Sequence, residues 1–141
     1  MKKIIFSFLG VILALGIFYG CDRQSDQAST DEIKIGVILG FTGPIESLTP
    51  TMASSAELAM KEVSDSGLLL GGASVSSVRA DSTCVDAGAA TSAAERLVTS
   101  DNVAAIMGAD CSGVTTAIAN NVAVPNGCLL YTSDAADECS G

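Results

Sequence analysis

The sequence predicts an α/β domain built on a parallel sheet, with helices on both faces of that sheet. Strand-like and helix-like segments alternate as βαβαβα through the middle of the chain. The strand-like run at residues 103–108 is continuously apolar, and residues 33–39 are apolar apart from Lys34, as expected of strands buried on both faces. The helical segments are rich in alanine, which suits close packing of helices against a sheet.

The first strand, at residues 33–39, is followed by a turn and a long helix. We expect the helix over residues 50–65, with Thr49 as its N-cap and Pro50 in its first position. Gly67 suits the C-cap of this helix. An apolar stripe recurs at intervals of three and four residues, as an amphipathic helix requires. Its members are Ala53, Ala56, Met60 and Val63.

The remaining elements continue the alternation, and Ser112 is a candidate N-cap of the third helix. They are an apolar turn at 68–72, a weaker strand at 73–80, a helix at 86–100, a strand at 103–108, a helix at 112–122 and a turn at 125–127 that leads to a fourth strand. The sequence has no internal repeat and no glycine-rich phosphate loop.

The N-terminal residues predict an export signal of the lipoprotein type. Two lysines precede an apolar stretch at residues 4–18, and a small residue then precedes Cys21. The alternative is a retained transmembrane helix, which needs roughly 20 apolar residues. We expect residues 1–20 to be the signal peptide and residues 21–32 a polar tether. Cys21 would carry the lipid anchor of an exported, periplasmic or cell-surface protein.

Composition argues against two classes of function. From residue 21 to residue 127 the chain has 13 acidic and five basic residues, so nucleic acid is not an expected partner. The sequence contains no histidine, which removes the commonest general base and the commonest metal ligand. It also lacks the nucleophile elbow of α/β hydrolases. We therefore expect no catalytic residue, no cofactor and no metal site.

The C-terminal residues 128–141 are expected to be an artefact rather than natural sequence. Residues 128–137 match ten consecutive codons of a transposon-end sequencing adapter and read Cys-Leu-Leu-Tyr-Thr-Ser-Asp-Ala-Ala-Asp. The alternative is a real strand at residues 129–132 followed by a polar turn and the start of a helix. On the adapter interpretation, the natural sequence runs only to residue 127, and the chain is a fragment of a longer protein.

Candidate functional residues follow the first and third strands, at the edge where open α/β sheets bind ligands. Thr42 follows the first strand, and either contacts a ligand or closes the turn. Ser112 begins the third helix, where a hydroxyl and free N–H groups would attract a carboxylate. The alternative for Ser112 is a plain helix cap. Asp110 is either a second cap or a ligand-facing acceptor, and would repel a carboxylate unless it turned away or paired with an amine.

Cys84 and Cys111 follow the second and third strands and are 27 positions apart. In an exported domain such a pair is expected to form a disulfide, and a metal site formed by the two thiolates is the alternative. If the first strand lies between the other two, their axes are about 9.6 Å apart, beyond the usual reach of a disulfide. The two loops would then have to arch over the first strand.

Together these features resemble the type I periplasmic binding proteins of the branched-chain amino acid family, the substrate-binding components of ABC importers. The resemblance covers residues 33–127. It is carried by the turn Thr42-Gly43-Pro44, the helical segment Ala56-Glu57-Leu58-Ala59, the glycines Gly67 and Gly71-Gly72, and Cys84 with Cys111-Ser112.

The resemblance implies a fold of two α/β lobes that close on a small, amino acid-like ligand, with residues 33–127 as part of the N-terminal lobe. It assigns the ligand carboxylate to Ser112 and a neighbouring contact to Asp110. Leu48 occupies a position that is often aromatic, which leaves the identity of the ligand open. The resemblance also implies an ABC permease in the inner membrane as partner. The alternative is a ligand sensor of the same fold that regulates a signalling partner.

Overall fold

The computed structural model describes residues 32–132 and consists of a four-stranded sheet with helices on both faces. Its elements are β1 (Glu32–Leu39), α1 (Thr49–Ser66), β2 (Ser74–Asp81), α2 (Ala87–Thr99), β3 (Ala105–Gly108), α3 (Ser112–Ile118) and β4 (Leu129–Tyr131). The predicted signal peptide, the lipidation at Cys21 and nearly all of the tether lie outside the described residues. None of the helices within residues 32–132 is long and apolar enough to cross a membrane.

Strand β1 lies at the centre of the sheet, whose order is β2-β1-β3-β4. It pairs in parallel with β2 on one side and with β3 on the other. Val37, Ile38 and Leu39 are almost completely buried, because helices cover β1 from both sides. The predicted parallel α/β fold is therefore confirmed.

The two faces of the sheet are covered unequally. On one face, α2 and α3 enclose the larger core, which includes Ile38, Leu97, Ile106 and Ile118. On the other face, α1 packs Ala53 against Val37 and Leu39 in a smaller cluster. The connection from β1 to β2 and the connection from β2 to β3 run in opposite directions across the sheet. Because both crossovers are right-handed, their helices lie on opposite faces.

Helix α1 begins one residue earlier than predicted, and Thr49 is not its N-cap. Leu48 occupies the cap position without a side-chain cap bond. Thr49 is the first helical residue, and its buried hydroxyl donates to the Gly40 carbonyl at 3.0 Å. The Thr49 hydroxyl therefore binds a backbone carbonyl in the loop after β1 instead of capping its own helix. Gly67 ends the helix as predicted, with φ 65°.

The third helical segment continues beyond the predicted end at residue 122. A π-helical turn at Ala119–Ala123 follows α3, and a last α-helical turn at Val124–Asn126 contains Pro125. Proline has no N–H to continue the regular pattern, and the N–H of Val124 donates five residues back, to Ala119. The predicted turn at residues 125–127 is therefore wrong in part. The helix ends only at Gly127, which has φ 61°.

Strand β4 lies within the segment that the sequence interprets as adapter. It pairs in parallel with β3, with Leu130 opposite Ile106 and packed against the larger core. Leu129 and Tyr131 are exposed. The structure therefore contains the strand that the alternative interpretation of this segment expects. Because backbone pairing does not report how a segment was encoded, the adapter origin of residues 128–141 stays a prediction.

An ion pair joins α1 to the edge strand β2. The Arg79 guanidinium donates through Nε and Nη2 to the Glu57 carboxylate, each at 2.7 Å, and the Ser77 hydroxyl donates to it at 3.0 Å. The hydrogen bonds from Arg79 hold the pKa of Glu57 below its ordinary value of 4.5, against a smaller opposing effect of burial. The ionised form of Glu57 therefore stabilises the fold.

Glu57→Gln is expected to lower stability slightly at neutral pH and to have less effect in acid. The carboxylate contributes above the unfolded-state pKa, and its contribution is lost as the pH falls through the lower, folded-state pKa. The effect is small because both side chains are partly exposed. Urea midpoints at about pH 7 and about pH 3.5 measure it. The matched control is Glu95→Gln on the exposed side of α2. A difference in urea midpoint between Glu57→Gln and the wild type that grew toward acid would contradict the prediction.

Candidate functional site

The loops that follow β1, β2 and β3 meet at the carboxyl edge of the sheet. A disulfide between Cys84 and Cys111 joins two of them, with the Cα atoms 5.3 Å apart. The loops therefore arch over β1, and the predicted disulfide is present. The alternative of a thiolate metal site is wrong, because both sulfur atoms are used in the disulfide. Residues 32–132 contain no cluster of three potential metal-binding side chains.

The Asp110 carboxylate is held by the ends of the other two strands. Its Oδ2 accepts from the backbone N–H of Gly40 at 2.8 Å, and its Oδ1 accepts from the Ser82 hydroxyl at 3.2 Å. Gly40 directly follows β1, Ser82 directly follows β2, and both residues are buried. The carboxylate is thus directed toward the sheet rather than toward the first N–H groups of α3, so the second-cap alternative for Asp110 is wrong. Its role as a ligand contact stays a prediction.

Thr42 is bound to the end of β2. Its hydroxyl donates to the Asp81 carboxylate at 2.6 Å, and its N–H donates to the same carboxylate at 3.3 Å. The N–H of Thr83 donates to Asp81 as well, at 2.8 Å. Burial raises the pKa of Asp81, but these hydrogen bonds together outweigh burial and lower it. Thr42 therefore closes its turn onto Asp81, as one of its two interpretations expects, and contact with a ligand stays a prediction.

Ser112 is the first residue of α3 and is exposed at this edge. Cys111 occupies the N-cap position, so the plain-cap interpretation of Ser112 is wrong. The Ser112 hydroxyl makes no hydrogen bond to any residue from 32 to 132. Its backbone carbonyl accepts from the Thr116 hydroxyl at 2.9 Å, within the helix. The hydroxyl is therefore available to a ligand at the carboxyl edge.

Leu48 lies on the same edge, immediately before α1, and its side chain is 61% exposed. Its N–H donates to the Ile45 carbonyl at 2.9 Å and closes the loop that follows β1. The side chain offers an apolar surface and no polar group. Whether it contacts a ligand stays a prediction.

The charge of the three loops has one sign. Residues 40–48, 82–86 and 109–112 carry Glu46, Asp86 and Asp110, and contain no lysine or arginine. A ligand carboxylate at Ser112 would therefore meet a neutral hydroxyl and backbone N–H groups rather than a cation. An ammonium group would be favoured by the acidic loops. The edge suits a ligand with no net charge better than an anion.

Three residues of this edge were not singled out by the sequence: Gly40, Asp81 and Ser82. Asp81 and Ser82 lie at the end of a strand, as Asp110 does. A polar residue at a second strand end could therefore have indicated that they belong to this edge. The weak alternation of β2 made the end of this strand hard to place. The hydrogen bond from the Gly40 N–H could not be predicted from neighbouring residues, because its acceptor is Asp110, 70 positions away.

Comparison with known proteins places these features in context. The family model described as periplasmic binding protein matches residues 32–141. The leucine binding protein LivK from Thermotoga maritima has 29% sequence identity and a TM-score of 0.61, over 71% of this chain and 27% of that protein. The branched-chain amino acid transporter substrate binding protein LivJ from Streptococcus pneumoniae, solved with isoleucine, has 28% identity and a TM-score of 0.65, over 72% of this chain and 28% of that protein.

A more distant structure shares the fold alone. It is the solute binding protein of an ABC transporter from Rhodopseudomonas palustris BisB5, in complex with 3,4-dihydroxybenzoic acid. Its identity is 20% and its TM-score 0.62, over 72% of this chain and 27% of that protein. No curated protein sequence matches the chain. The chain spans little more than a quarter of the length of the structures it resembles.

Proposed function

Since the chain belongs to the periplasmic binding protein family, we propose that the protein of which it forms a part is the substrate-binding component of an ABC importer for amino acids. The observation that carries the proposal is the edge at which Ser112 presents an exposed hydroxyl beside a disulfide-linked loop. The likeness to binding proteins for leucine and isoleucine supports the same ligand class.

Binding at this edge requires no covalent chemistry. The Ser112 hydroxyl would donate to the ligand carboxylate, and hydrogen bonds to charged groups are among the stronger ones in proteins. The neighbouring Asp110 carboxylate accepts from Gly40 and Ser82, so it does not face the ligand carboxylate. The acidic loops favour a zwitterion with an ammonium group over a simple anion such as a benzoate. The proposal assigns no catalytic residue, cofactor or metal.

In the proposed receptor, the described residues would form one wall of a cleft between two lobes. The chain covers 27% of the LivK structure, and the proposal assigns the opposite wall to a second lobe. Closure of two lobes would bury the ligand, and the closed state would be what an inner-membrane permease recognises. Export, with a lipid anchor at Cys21, would place the receptor beside the permease.

Ser112→Ala is expected to weaken amino acid binding by about 10- to 100-fold, because a hydrogen bond to a charged group contributes roughly 1.5–3 kcal/mol. Isothermal titration of the full-length gene product with L-leucine, L-isoleucine and benzoate measures the effect. The matched control is Ser100→Ala, an exposed serine at the opposite edge of the sheet, which should leave the affinity unchanged.

Two results would count against the proposal in different ways. If Ser112→Ala binds as tightly as the wild type, Ser112 does not bind the ligand carboxylate, but the proposed receptor function still stands. A wild-type protein that binds no amino acid, or that binds benzoate more tightly than leucine, would overturn the proposed ligand class.

A further inference from the structure

The Asp110 carboxylate bridges the ends of three neighbouring strands. Asp110 follows β3, and its two oxygens accept from Gly40 after β1 and from Ser82 after β2. We propose that Asp110 is a positioning residue, which holds the loop carrying Ser112 against β1 and β2 and does not itself contact the ligand. This inference rests on the proposed function for the role of Ser112, and revises the contact role that the family resemblance implies for Asp110.

Other bonds converge on the same short loop. Cys111, next to Asp110, is tied to Cys84 by the disulfide. The Thr115 hydroxyl donates to the Ala109 carbonyl at 3.2 Å and to the Cys111 carbonyl at 3.0 Å. Residues on both sides of Asp110 are therefore anchored, and its carboxylate connects the loop to the central strand. Ser112 follows directly on this anchored segment.

Burial explains why the carboxylate stays in this position. Gly40 is buried, and its two backbone polar groups are both used by side chains: Asp110 accepts from the N–H, and Thr49 donates to the carbonyl. Ser82 is completely buried. If the Asp110 side chain rotated outward to meet a ligand, it would leave the Gly40 N–H without its acceptor in a buried position. An unsatisfied buried donor is costly, so the inward orientation is favoured.

The two possible roles of Asp110 differ in whether they need its charge. The bridge needs an acceptor for the Gly40 N–H and a partner for the Ser82 hydroxyl, which can accept as well as donate. An asparagine side chain supplies both, through its carbonyl oxygen and its amide. A contact with a ligand ammonium group would instead need the negative charge. Asp110→Asn therefore separates a positioning residue from a ligand contact.

The test compares Asp110→Asn, Asp110→Ala and the control Asp101→Ala in the full-length gene product. Hydrogen exchange is measured in the ligand-free protein, and titration with L-leucine gives the affinity. Asp110→Ala is expected to speed exchange of the hydrogen-bonded Gly40 and Thr115 N–H groups about tenfold and to weaken leucine binding about tenfold. Asp110→Asn should stay within about threefold of the wild type in both measurements, and Asp101→Ala should change neither.

Several outcomes would overturn the proposal. If Asp110→Asn loses binding as fully as Asp110→Ala while exchange is unchanged, the charge contacts the ligand. If Asp110→Ala speeds exchange but keeps its affinity, the bridge is structural only. Should Asp110→Ala fail to fold, Ser82→Ala removes one of the two bonds, and unchanged exchange of Gly40 and Thr115 would count against the bridge.

The exchange measurement does not depend on the ligand. If the wild type binds no amino acid, the proposed function fails. The exchange of Gly40 and Thr115 in Asp110→Ala still decides whether Asp110 holds the loop: faster exchange supports the bridge, and unchanged exchange overturns it. The two failures can therefore be told apart.

Discussion

Gly108→Ala is expected to destabilise the fold by about 3 kcal/mol or more, a large share of the 5–15 kcal/mol that typically holds a domain together. Gly108 ends β3 with φ +118°, a conformation that residues with a side chain rarely adopt. It lies opposite Ile38 in the sheet, and a Cβ atom there would overlap the Ile38 carbonyl oxygen. A backbone oxygen in the central strand cannot move aside without separating β1 from β3.

Urea unfolding of Gly108→Ala and of Gly113→Ala measures this effect against a matched control. Gly113 lies in the first turn of α3, and a Cβ atom there meets nothing within 4 Å. Alanine at this helical position should be neutral or stabilising, by up to about 1 kcal/mol. Equal unfolding midpoints for the two variants would contradict the argument. If Gly108→Ala yields no folded protein at all, the expected direction holds.

Loss of the Cys84–Cys111 disulfide is expected to destabilise the protein by about 3.5 kcal/mol, as the chain-entropy relation gives for a loop of this length. The bond spans 27 positions and joins the loops after β2 and β3 over the central strand. Without it, the unfolded chain regains the conformations that the crosslink excluded. The loop carrying Ser112 also loses one of its anchors, so the proposed amino acid binding should weaken together with stability.

Urea midpoints with and without reductant measure this loss, and the Cys84→Ser/Cys111→Ser double variant serves as the control. Reductant should lower the midpoint of the wild type to that of the double variant and leave the double variant unchanged. A wild type that unfolds at the same urea concentration in both conditions would show that the disulfide contributes little to stability.

The sequence alone determined the fold class and the order of its elements. Predominantly apolar runs and alanine-rich helical segments are local patterns, so β1, β3 and α2 could be placed within two residues of their observed bounds. The disulfide partners also followed from position, since both cysteines stand just after strands. The prediction was wrong where a residue that suits a local role binds a partner from another part of the fold. Thr49 was expected to cap its own helix, but its hydroxyl donates to the Gly40 carbonyl.

The tertiary structure decided how the side chains at the carboxyl edge are used. Sequence reasoning placed Ser112, Asp110, Thr42 and Leu48 at this edge, because parallel strands end together. It could not determine that Asp110 faces Gly40 and Ser82, which lie 70 and 28 positions away in the chain. Local periodicity fixes which residues form strands and helices. The partner of a polar side chain depends on which distant backbone and side-chain groups the packed sheet brings within hydrogen-bonding distance, and only the folded chain establishes that.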